Sequence, residues 1–139
     1  MKIDGLTLGD WIEGPRKGRT GQVCCIVPDE YCEVETYNSD KGYAGGGCHS
    51  GRIEDFAPIP LTREMLLANG FTKFVDGYRR TFYKYVVDNN LMLDISDWED
   101  EGLKIAVGGK FRELKYVHEL QHILRLIGLS EVANNFKIK

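Results

Sequence analysis

Near the C-terminus, His118-Glu119-Leu120-Gln121-His122 has the residue types and spacing of a zinc peptidase helix. Two imidazoles at i and i+4 share a helix face and can bind Zn²⁺, while the Glu between them activates a metal-bound water. The third ligand is missing. The extended form of that motif wants His where Gly128 stands, and Glu131 is the only acid downstream. The charge of Arg125 would also oppose a nearby cation. The match is therefore read as incidental: no catalytic residue, metal or cofactor is assigned, and His118 and His122 are the ligands should a metal bind after all.

A second group of residue types suits an anionic aromatic ligand. Tyr43, His49, Ser50 and Arg52 lie close together in and beside the Gly-rich stretch Gly42–Gly51, and Arg79 and Arg80 sit beside Tyr78, Phe82 and Tyr83. Arg forks pair with anions, aromatic faces attract cations, and free loop amides can cradle a phosphate. Arg16, Lys17 and Arg19 form a third basic cluster in a turn. The bland readings are a flexible loop, aromatics that line the core, and a solvated turn. The Gly-rich stretch matches neither the P-loop nor the dinucleotide fingerprint.

Other candidates carry less. Cys24, Cys25, Cys32 and Cys48 include no C-x-x-C pair, so buried reduced thiols are expected in place of a metal site. Asp97, Glu99, Asp100 and Glu101 lack calcium-loop spacing and read as a solvated turn.

The elements that would hold these residues make an α+β chain. Leu8 to Glu13, Gly21 to Val27 and Tyr31 to Tyr37 read as short strands of a curled sheet or small barrel, the last two as a hairpin. Asn38 to Gly51 reads as irregular. Pro58 and Pro60 confine Ile53 to Pro60 to an edge or connector. Thr62 caps a short helix that Asn69-Gly70 stops. Two hairpins follow, Thr81–Val87 with Leu91–Ile95 and Leu103–Val107 with Phe111–Leu114. A final helix from about Lys115 to Ile127 ends at Gly128. It packs Val117, Leu120, Ile123, Leu124 and Ile127 on the sheet, and turns His118, Gln121, His122 and Arg125 to solvent. Phe136 to Ile138 reads as a short edge strand.

At 139 residues the expectation is one compact domain, with a β-rich half to residue 60 and the helix, hairpins and final helix after it. A net charge of −3 with interleaved signs argues against general nucleic-acid binding. No apolar run approaches the roughly 20 residues that span a bilayer, and the polar start argues against an export signal. A cytoplasmic protein without membrane association is expected.

Three segments, Gly9-Asp10-Trp11-Ile12, then Ile59-Pro60-Leu61-Thr62 with Asn69-Gly70-Phe71, then Lys115-Tyr116-Val117-His118-Glu119-Leu120-Gln121-His122, carry a resemblance in that order. They resemble uncharacterised small proteins of phages and mobile elements of gut Bacteroides-like bacteria. The resemblance implies an accessory protein in a bacterial cytoplasm and assigns no activity or residue role. The Gly42–Gly51 stretch departs from that pattern.

The leading expectation is a non-enzymatic binding protein that captures a small anionic ligand, such as a nucleotide signal of host immunity. Its site is expected at Tyr43, His49, Ser50 and Arg52 with Arg79, Arg80, Arg16 or Arg19, on one chain or across a homo-oligomer axis. The alternatives are a module that docks on a host or phage protein, and a zinc hydrolase.

Overall fold

The computed structural model describes residues 6–14, 20–27, 31–35, 48–88, 92–107 and 110–138. In chain order these form β1 (Trp11–Glu13), β2 (Thr20–Val27), β3 (Tyr31–Glu35), β4 (Cys48–Arg52), a 3₁₀ turn (Ile53–Asp55) and β5 (Ala57–Pro58). After them come α1 (Arg63–Ala68), β6 (Thr72–Val75), β7 (Thr81–Val86), β8 (Met92–Asp97), a 3₁₀ turn (Glu99–Glu101), β9 (Leu103–Val107) and β10 (Lys110–Glu113). The chain closes with α2 (Val117–Leu126) and α3 (Ser130–Asn134). The class is α+β. No helix among the described residues is long and apolar enough to cross a membrane.

Two compact units share the chain: Met1–Ile59 with Tyr116–Asn135, and Pro60–Lys115 with Phe136–Lys139. The final helix thus belongs with the first strands.

In the first unit five antiparallel strands run in the order β4-β3-β2-β1-β5, so the last strand returns beside the first. Pro58 sits opposite Ile12 on the terminal strand β5, the position in a sheet where a residue without an N–H is tolerated. Ile12, Val23 and Phe56 are buried at the sheet's core, with Leu6 and Ile26 packed on them. Two expectations need correction. Cys48 to Gly51 are not loop but strand, because pairing with β3 satisfies their backbone despite poor strand propensity. Cys24, expected to be buried, is exposed, and Cys25 is half-buried. The ladder shifts register between Val23 and Cys25, which takes Cys24 out of the strand's alternation.

In α2, Val117, Leu120 and Leu124 are buried. Gly128 ends the helix at φ +86. A Cβ there would touch nothing, so Gly128→Val should cost only the backbone strain of a left-handed β-branched residue, about 1–2 kcal/mol in thermal or urea unfolding. A loss below 0.5 kcal/mol would place the helix end elsewhere. The short helix α3 is too brief to show a period in sequence.

The second unit is an antiparallel meander in the order β10-β9-β8-β7-β6. Tyr83, Ile95 and Ile105 stand on one rung of β7, β8 and β9, and all three are buried. The neighbouring rung therefore turns Phe82, Ser96 and Lys104 to the other face. Thr62 caps α1 by accepting from the Met65 N–H at 3.2 Å. Asn69 follows, and its side chain accepts from the Lys137 N–H and donates to the Lys137 and Met65 carbonyls, each at 2.7 Å. Phe136 to Ile138 is accordingly not the expected edge strand, since Asn69 takes the backbone groups a ladder would use.

Candidate functional site

The polar side of α2 does not face water as expected. His118 is only 6% exposed and Gln121 is fully buried. Gln121 accepts from the Trp11 N–H at 2.9 Å and donates to the carbonyls of Gly9 at 3.0 Å and Ala133 at 2.8 Å. The fully buried Asp10 carboxylate meets His122 Nε2 and Arg125 Nη1 at 2.6 Å each, and accepts from the Thr7 N–H at 2.8 Å. Burial opposes its charge, but the bonds from His122, Arg125 and Thr7 outweigh it and hold this carboxyl below the usual range. The helix thus has two buried sides, one apolar and one stitched by hydrogen bonds.

This arrangement leaves the peptidase motif unassembled. The Glu119 carboxylate accepts from the Tyr116 N–H at 2.9 Å, closing the helix start. His122 Nε2 faces Asp10, and among the described residues no three His, Cys, Asp or Glu side chains are placed to hold a metal. Nor is there a relay to Thr7, whose Oγ1 lies 3.3 Å from the same His122 nitrogen that meets Asp10. A nucleophile triad needs both ring nitrogens.

His118 carries the one unusual group of this network. Its Nδ1 is buried without a partner, while its ring stacks on Tyr116 at 5.9 Å and meets the His122 ring edge-on at 5.6 Å. Burial pushes its pKa below the ordinary value of 6.5. The folded state then binds this proton more weakly than the unfolded state, so its contribution is complete above pH 6.5 and is lost as pH falls below that. Asp10, also depressed, adds a further loss below its unfolded value of 3.8. The melting temperature should fall between pH 7 and pH 5, and His118→Phe should flatten that slope; an unchanged slope in the variant would remove His118 as the cause.

A groove of about 290 Å³ lies on the other face of the second unit's sheet. Phe82 and Ser96, directly opposed on β7 and β8, line it, together with Trp98 and Phe111. Trp98 is held on three sides. Its indole N–H donates to Ser96 Oγ at 2.8 Å, the Lys104 ammonium lies 4.3 Å from its ring centre, and Phe111 meets it edge-on at 5.7 Å. Arg79, Arg80, Thr81, Asp97 and Glu99 complete the lining.

Arg79 and Glu99 have φ of +62 and +55, and they are the only non-Gly residues with positive φ among those described. Such conformations cost about 1–3 kcal/mol and gather at functional sites. Both line this groove. Of these lining residues, Asp97 is gripped by the Arg63 guanidinium through two bonds of 2.6 and 2.8 Å, which holds that carboxyl below the usual range. Asp97 is thus not part of a solvated turn, as the sequence suggested.

The residues expected to bind are distributed as follows. Arg79 and Arg80 line the groove, with Arg80 Nε 3.0 Å from Asp76 and its guanidinium 5.4 Å from the centre of the Tyr78 ring. Arg52 is exposed on β4 of the first unit, 3.6 Å from Glu54. His49 and Ser50 take ladder positions opposite Val34 and Glu33. Tyr43, Arg16 and Arg19 lie outside the described residues. Sequence reasoning missed Ser96, Trp98 and Phe111, and set Glu99 aside as part of a solvated turn. The alternation that puts Phe82 on one face of β7 and Ser96 on one face of β8 was readable within each strand, but the pairing that opposes them was not.

No known protein family, curated protein or solved structure matches the chain.

Proposed function

We propose that this chain is a non-enzymatic binding protein that captures a small ligand combining a flat ring with an anionic group. The observation that carries this reading is the groove of Phe82, Trp98 and Phe111 under Arg79 and Arg80. Aromatic side chains supply ring-stacking surface, and Arg79, which is not paired as Arg80 is with Asp76, supplies the anion's partner. At about 290 Å³ the groove lies at the small end for ligand sites and suits one ring system with a short charged arm. Trp98 is fixed before any ligand arrives, so little ordering cost falls on binding. The resemblance to phage and mobile-element proteins supports an accessory role in the bacterial cytoplasm.

A thermal-shift screen against mononucleotides and aromatic acids tests the reading. A hit should shift the melting temperature of the parent and lose most of that shift in Trp98→Ala, with affinity falling at least tenfold. A shift that Trp98→Ala leaves untouched places the ligand elsewhere, and no shift at millimolar ligand removes the reading.

A second reading is a module that docks on a host or phage protein. Phe74, Val86, Met92 and Phe111 favour it, being 48% to 65% exposed on the same face of the sheet. The hydrolase reading has less support, because Glu119 and His122 are engaged in holding α2.

A further inference from the structure

From the charges where the groove passes the end of the β7–β8 ladder we infer that its ligand is a zwitterion, an aromatic α-amino acid whose carboxylate meets Arg79 and whose ammonium meets Glu99. This inference rests on the ligand-capture reading and names the class of ligand.

The β7–β8 ladder ends at the pair Thr81 and Asp97. Arg79 stands two residues before Thr81 and Glu99 two residues after Asp97, so in an antiparallel pair they occupy corresponding positions past the ladder's end. Both line the groove, and both are turned by a positive φ. Neither the Arg79 guanidinium nor the Glu99 carboxylate has an ion-pair or hydrogen-bond partner among the described residues. The other charges there are already matched: Arg80 with Asp76, Asp97 with Arg63, and Lys104 with Glu101 at 3.2 Å.

What remains at this end is one open cation beside one open anion, next to an aromatic surface. A dianionic phosphate would gain from Arg79 and be opposed by Glu99, whereas an α-amino acid presents a carboxylate and an ammonium on one carbon. Its aromatic side chain would lie along Phe82, Trp98 and Phe111. A polar partner is present there too, since Ser96 Oγ accepts from Trp98 and donates to the Lys104 carbonyl at 3.1 Å. That hydroxyl keeps one further lone pair for a ring N–H or O–H.

The test is calorimetric titration with L-phenylalanine, L-tyrosine and L-tryptophan, each beside its des-amino acid and its decarboxylated amine. At least one amino acid should bind about tenfold more tightly than both of its truncated forms, the cost of one lost charge-assisted bond. Glu99→Gln should erase the advantage over the des-amino acid, and Arg79→Asn, which tolerates the left-handed backbone, the advantage over the amine. A des-amino acid or a mononucleotide that binds as tightly as every amino acid overturns the zwitterion and leaves the aromatic-anion reading in place. Silence from every probe, nucleotides included, overturns both.

Discussion

Replacing Asp10 by Ala should destabilise the protein by about 3 kcal/mol, enough to lower its melting temperature by roughly 10 °C. The carboxylate is fully buried and receives three donors, from Thr7, His122 and Arg125. Removing it leaves a guanidinium and an imidazole facing an uncharged hole, with side chains only 20% and 28% exposed and so unable to recover full hydration. That penalty exceeds the net value of the ion pair itself. The double variant Asp10→Ala with Arg125→Met should recover part of the loss, because the stranded cation goes with its partner. Strict additivity of the two single effects would show that Arg125 is not held by Asp10.

This cluster explains why two distant segments of the sequence belong together. Gly9 has φ +86, and a Cβ there would come within 2.9 Å of Asn134 Oδ1 and 3.0 Å of Arg125 Nη2. Gly9 therefore satisfies a turn and a close approach at once. Asp10 holds Arg125 and His122, the Trp11 N–H donates to Gln121, and Ile12 enters the core. The Gly-Asp-Trp-Ile and His-Glu-Leu-Gln-His segments, read as separate motifs, are two halves of one joint.

Local chemistry was legible where it was self-contained. Thr62 capping, the Asn69-Gly70 stop, both hairpins of the second unit and the Gly128 terminus each depend on residues within a few positions, and each is present. Failures came where a partner lay far along the chain. Amphipathic periodicity assigns His118 and Gln121 to water because it scores polarity and cannot see that Gly9, Trp11 and Ala133 supply hydrogen-bonding partners for Gln121. The groove failed in the same way. Arg79 and Arg80 were visible as cations beside aromatics, but Trp98 sits in an acidic run and Phe111 in another hairpin. Only the order β10-β9-β8-β7 brings those residues to one surface.

Gln121→Leu provides the most direct test of that buried polar joint. Leu is close in volume and better suited to an apolar core, so a helix side that merely needed filling would accept it with little loss. The structure calls for the opposite. The Gln121 carboxamide serves the Trp11 N–H and the carbonyls of Gly9 and Ala133, three backbone groups from three segments. The Gly9 carbonyl keeps a second donor in Gln22 Nε2 at 3.1 Å, so it is not stranded. The other two groups lose their carboxamide partner, and at about 1–3 kcal/mol for each such buried bond the loss should reach roughly 3–4 kcal/mol. Hydrogen exchange should register it locally, with faster exchange of the Trp11 amide than of amides in β7 and β8, which lie in the other unit. A variant as stable as the parent, with an unchanged Trp11 amide, would mean that these backbone groups find other partners and that the joint is not held by Gln121.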